Sequence, residues 1–128
     1  MKISAAALVL CCTAALLPAA ALADAHSEIV LAEQHAVLAA QSGDIAMVHA
    51  HLHHTLNCLV GPSGPGFDAR QMNPCAKAGN GAIPDGGVMK KMPLEAAAAE
   101  ARAGIAEPDL AKAQAHAART ADMLTKAE

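Results

Sequence analysis

One phenylalanine, Phe67, and no tryptophan or tyrosine in 128 residues restrict this chain more than any other feature. A core without aromatic rings has to be filled by Ala, Leu, Val, Ile and Met. Alanine has the highest helix propensity, and small side chains let helix axes approach closely. The composition therefore implies an all-α fold with tightly packed helices and a thin core. A single domain of about 105 residues buries only a modest share of its surface, so a disulfide or a bound metal would contribute usefully to its stability.

Residues 1–23 have the layout of a cleaved signal peptide. Lys2 supplies the positive start, the apolar run Ile3 to Leu17 follows, and Pro18 precedes the small residues of Ala21-Leu22-Ala23. The run is short for a membrane span. Leu10 and Cys11, ahead of Cys11 and Cys12, are bulkier than a lipidation site wants. The expected location is periplasmic or secreted, with residues 24–128 forming one helical domain that has no membrane association after processing.

Loss of Lys2 leaves 8 Lys+Arg against 12 Asp+Glu, a net charge near −4 with neutral histidines. An acidic domain without a basic cluster has no electrostatic reason to bind nucleic acid. Two cysteines remain, Cys58 and Cys75, and in an oxidising compartment an even pair reads as a disulfide. Their spacing matches neither Cys-x-x-Cys nor a zinc knuckle, and the absence of Cys-x-x-Cys-His rules out covalent c-type haem.

Four helices are expected. Ser27 is placed as N-cap of the first, running to about Ser42, and Asp44 as N-cap of the second, running to about Leu59. Gly61-Pro62-Ser63-Gly64-Pro65-Gly66 stops the second helix. Turn signals continue to Pro93, so residues from about 60 to 93 read as a long loop that the disulfide staples. The third helix is expected from about Leu94 to Ala106, and the fourth from about Glu107 to Lys126 with Pro108 in its first turn.

The two halves resemble each other at a shift of 65 residues. Asp44-Ile45-Ala46 falls on Asp109-Leu110-Ala111, Ala50 on Ala115, His51 on His116, Thr55 on Thr120 and Leu59 on Leu124. Further upstream Ala36 falls on Ala101 and His35 on Glu100. Two helical hairpins packed together make a small four-helix bundle.

His49, His51, His53 and His54 stand within six residues on the second helix, far denser than this composition would produce by accident. Ile45, Val48, Leu52, Leu56 and Leu59 gather on one side of that helix. His49 and His53, at i and i+4, share one shoulder of the stripe, a spacing that clamps a metal ion from one helix face. His51 lies on the other shoulder, and His54 points mostly away. His35 is eight residues before Gly43 and His51 eight after it, so an antiparallel hairpin puts them at one height. Glu100 and His116 are the comparable pair in the second hairpin. Imidazole with imidazole or carboxylate suits Cu(II), Ni(II) or Zn(II).

Cleavage after Ala23 would expose Asp24-Ala25-His26. A free amine with histidine at position three resembles the amino-terminal copper and nickel motif of serum albumins, in which four nitrogens surround the ion in a square plane. Asp24 and His26 are thus a second candidate site.

Glu33-Gln34-His35-Ala36, Gly43, His49-Ala50, His53 and Leu56, and more weakly Ala111 to Leu124, resemble the periplasmic small metal-binding proteins, a family of histidine-rich four-helix bundles. The resemblance covers the helices and not the middle loop. It implies reversible binding of divalent transition metal ions, as buffer or carrier, and carries over to His35, His49, His53 and His116. The second hairpin has far fewer histidines than the family, which argues for one or two sites rather than bulk storage.

Enzymatic motifs are missing. There is no nucleophile elbow, no phosphate-binding glycine loop before a helix and no His-Glu-x-x-His. A b-type haem bundle is the main rival, with Met47, Met72, Met89, Met92 and Met123 as axial candidates, but the lack of aromatic residues argues against it. The remaining alternative is a protein-interaction module that uses the stapled loop. Asp68, Asn73, Asn80 and Asp85 lack the EF-hand spacing.

Overall fold

The computed structural model describes residues 24–128, so the signal peptide expected at residues 1–23 lies outside the described residues. All of their regular structure is helical: α1 (Ala25–Gln41), α2 (Ile45–Val60), the single turn α3 (Ala82–Asp85), α4 (Gly87–Ala106) and α5 (Leu110–Thr125). No helix among the described residues is long and apolar enough to cross a membrane.

Two aspartates fix the start of α2 and α5. Asp44 accepts the Met47 N–H at 3.0 Å, and Asp109 accepts the Lys112 N–H at 3.0 Å, each cap worth about 1 kcal/mol. Because Asp109 is the cap, Pro108 lies ahead of α5 rather than in its first turn. Ser27 is likewise not a cap. Helix α1 begins at Ala25, and the Ser27 hydroxyl donates to the Asp24 carboxylate from inside the first turn.

Helix α4 begins well before the expected Leu94 and carries Pro93 in its interior. A proline there leaves the carbonyl four residues back without its helical donor. That carbonyl belongs to Met89, which is 90% exposed, so water can take the donor's place. Lys90 also ties this first part of α4 to the C-terminus by donating to the Ala127 carbonyl at 2.6 Å.

Helix α1 packs against α2 and α5, and α4 packs against α5 and α2. The 65-residue shift holds throughout this arrangement. It carries the bounds of α2 onto those of α5 and the end of α1 onto the end of α4. It pairs Ile29 with Leu94, Ala32 with Ala97, Leu52 with Ala117 and Leu59 with Leu124, all fully buried. It also pairs the helix ends, where the Ser42 N–H bonds Ala39 O and the Glu107 N–H bonds Gly104 O. Thr55 and Thr120 each turn a hydroxyl back onto the carbonyl of the histidine four residues earlier.

The segment between α2 and α3 is fastened to the helices at several points. Cys58 and Cys75 form a disulfide with a Cα–Cα distance of 5.1 Å. The buried Asn57 amide donates to the carbonyls of Asp68 and Met72 at 3.0 and 3.1 Å, and its oxygen accepts the Asp68 N–H at 2.9 Å. Gly61 and Gly81 cross where the segment closes, both at positive φ, and a Cβ on Gly61 would lie 1.5 Å from the Asn80 carbonyl oxygen. Only glycine fits there. Beneath this crossing the fully buried Glu28 accepts the Gly81 N–H at 2.7 Å. Burial, with Asp85 nearby, pushes its carboxyl up to about 7 against the single backbone donor.

Candidate metal centre

Helices α1 and α2 bring three imidazoles together. His35 and His51 meet across the hairpin with their Nδ1 atoms 3.2 Å apart, as the equal spacing about Gly43 requires of antiparallel neighbours. His54, one turn beyond His51, stands edge-on to both, with ring centroids 5.0 Å from His35 and 5.6 Å from His51. One ring nitrogen from each residue falls within 4.8 Å of the others.

His54 was expected to point away and is instead only 9% exposed. A helical wheel assumes burial from one side. Here α1 packs on one side of α2, while the loop anchored through Asn57 and Cys58 covers another. As a result every residue from His54 to Val60 is buried. The signal available in sequence was the cysteine at position 58, which implies chain crossing the outer side of α2.

The triad is electrostatically prepared for a cation. Burial, reinforced by His54 and His51, lowers the His35 pKa to about 4. Burial and its histidine neighbours also hold His54 below the usual imidazole range. Neutral imidazole is the ligand form. The Nδ1 of His54 is buried with no hydrogen-bond partner, a position a native protein fills only at a cost. Tetrahedral Zn²⁺ with Zn–N of 2.0–2.1 Å needs ligand nitrogens roughly 3.3 Å apart. The His35–His51 pair has about that separation, and a ring nitrogen of His54 lies within 4.8 Å of both. The three residues could hold a metal ion.

The other expected ligands are placed differently. His49 Nε2 lies 2.8 Å from the Glu107 carbonyl oxygen, where it ties α2 to the end of α4. Its counterpart at the 65-residue shift, Gln114, donates from α5 to the carbonyl of Ser42 at 2.8 Å. An amide fills the same role, so the Nε2–H of His49 is a donor there and Nδ1 alone keeps a lone pair. His53 is half-buried with Nδ1 unpartnered. Burial lowers its pKa, while Asp68 raises it and His49 and Arg70 lower it further, so it faces the loop at Asp68 and Arg70. The i,i+4 pair thus stands in two different environments. Glu100 and His116 do meet, with Oε1 and Nδ1 2.8 Å apart, but Arg119 joins them. Asp24 donates its backbone N–H to Ala78 O at 3.1 Å, and the exposed His26 is inside α1. A square of four nitrogens would form there only if the first helical turn unwound.

A cleft of about 880 Å³ between Pro62–Pro65 and α4 shares no residue with the triad. Comparison with family models, curated proteins and solved structures found no match for the chain.

Proposed function

We propose that this chain is an exported metal-binding protein that holds one divalent transition metal ion between α1 and α2 through His35, His51 and His54. It acts as a buffer or carrier and not as an enzyme. The convergence of three imidazole nitrogens within 4.8 Å is the observation that carries this reading. Burial that holds His35 and His54 in the neutral form supports it, because uncharged imidazole is the ligand form. Cu(II), Ni(II) and Zn(II) all suit an all-imidazole set. Three protein ligands leave a fourth position for water or for a ligand of a receiving protein, which suits exchange better than permanent storage.

The four long helices are read as a four-helix bundle of two fused hairpins, in keeping with the resemblance to the periplasmic small metal-binding proteins. A signal peptide at residues 1–23 and a periplasmic or secreted location agree with the disulfide. Titration of the oxidised, metal-free protein with Zn(II), Ni(II) and Cu(II) tests the reading. One molar equivalent should bind and raise the melting temperature. At an ion concentration 100 times Kd the gain is about 2.7 kcal/mol. The shift should vanish in H35A and H54A and persist in H53A. Binding unchanged in H54A, or a Soret band in the purified protein, would overturn it.

A further inference from the structure

The 65-residue shift carries the triad as a set: His35 onto Glu100, His51 onto His116 and His54 onto Arg119. The second set also converges. Arg119 Nε donates to Glu100 Oε1 at 2.6 Å, and Arg119 Nη2 lies 2.8 Å from His116 Nδ1. Glu100 Oε1 and His116 Nδ1 are 2.8 Å apart, matching the 3.2 Å between the nitrogens of His35 and His51. With its proton on Nε2, His116 turns a lone pair toward the guanidinium, and so does Glu100. The positive charge comes from the chain itself.

We infer that the Glu100–His116–Arg119 cluster is a second copy of the metal site, closed to metal because the Arg119 guanidinium takes the position of the ion. This rests on the reading of His35, His51 and His54 as ligands, and it gives the two clusters one ion between them. It also makes the residue at position 119 the switch between a permanent organic cation and an exchangeable inorganic one. The Arg119 side chain is 54% exposed while its two acceptors are 24% and 22% exposed, so a smaller side chain can replace it with little effect on the core. An imidazole at 119 would complete a carboxylate and two-histidine set, which suits Zn(II) or Ni(II).

The test is stoichiometry by equilibrium dialysis of the oxidised, processed protein (residues 24–128) against Zn(II), with folding checked by circular dichroism. Wild type should retain one equivalent, R119H two, and R119H/H116A one again. H54A/R119H should retain one equivalent at the second cluster alone, and this holds even if the first triad proves not to bind metal. The reverse exchange, H35E/H54R, should close the first site and leave a folded chain that binds none. A folded R119H with the wild-type count overturns the inference, as does a wild-type ion that is lost in H116A but kept in H54A. If R119H does not fold, R119A decides: a second, weaker equivalent held by Glu100 and His116 upholds the inference, and the wild-type count overturns it.

Discussion

His49 of α2 reaches the carbonyl oxygen of Glu107 at 2.8 Å, so a histidine that the sequence pattern offers to metal ties two helices together through its Nε2. Its repeat-mate Gln114 makes the mirror contact to Ser42 at the same distance. Each hairpin therefore closes the carbonyl end of the other.

This exchange predicts an asymmetric response to substitution at position 49. H49Q should melt within about 2 °C of wild type and bind metal equally well, because the amide restores the donor. H49A should lose about 1 kcal/mol, the usual net value of such a bond. Thermal unfolding of both variants, with and without Zn(II), checks this.

Glu28 gives the protein a stability that declines as pH rises. Its carboxyl titrates near 4.5 when unfolded and near 7 when folded. Between those values the folded chain keeps a proton that the unfolded chain has released. The contribution is complete below about pH 4.5 and is lost as pH climbs through 7. E28Q, which keeps the acceptor for Gly81 N–H, should gain about 1–2 kcal/mol at pH 8 and little at pH 4.5. Melting temperatures across that range should show the two curves diverging upward in pH.

His35 acts in the opposite direction. Its pKa falls from 6.5 to about 4 on folding. Its neutral form is therefore fully accommodated above pH 6.5, and stability is lost as pH falls from there toward 4. His53 and His54 shift the same way. In the E28Q background, which removes the opposing slope, H35N should flatten the acid limb of the metal-free melting profile. An unchanged limb would show that the ring is not desolvated.

The Cys58–Cys75 bridge, with a sequence separation of 17, is worth roughly 3 kcal/mol in the chain-entropy treatment. Reduction, or C58A/C75A, should lower the melting temperature by more than 10 °C in a domain of this size. It should also loosen the cover over α2. Hydrogen exchange should then rise first in the backbone of residues 68–75.

Much of this architecture is legible in sequence because local chemistry fixes it. Asp44 and Asp109 announce the starts of α2 and α5, and equal spacing about Gly43 brings His35 to His51. The repeat is visible in Asp44-Ile45-Ala46 and Asp109-Leu110-Ala111. What sequence hides depends on contacts between distant segments. Pro93 reads as a helix boundary, yet solvent at Met89 and the tether from Lys90 to Ala127 let α4 run through it. His54 reads as an outward residue because a helical wheel takes no account of the loop that Cys58 draws over α2. The tie from His49 to Glu107 escapes a reading of local sequence because its acceptor lies 58 residues away.

The crossing of His49 and Gln114 between hairpins has a consequence for the two halves taken apart. A lone hairpin would leave its turn carbonyl to solvent and its apolar side in water. Each half therefore depends on the other for its cover. Separated at the middle loop, the two halves should still seek each other out as fragments.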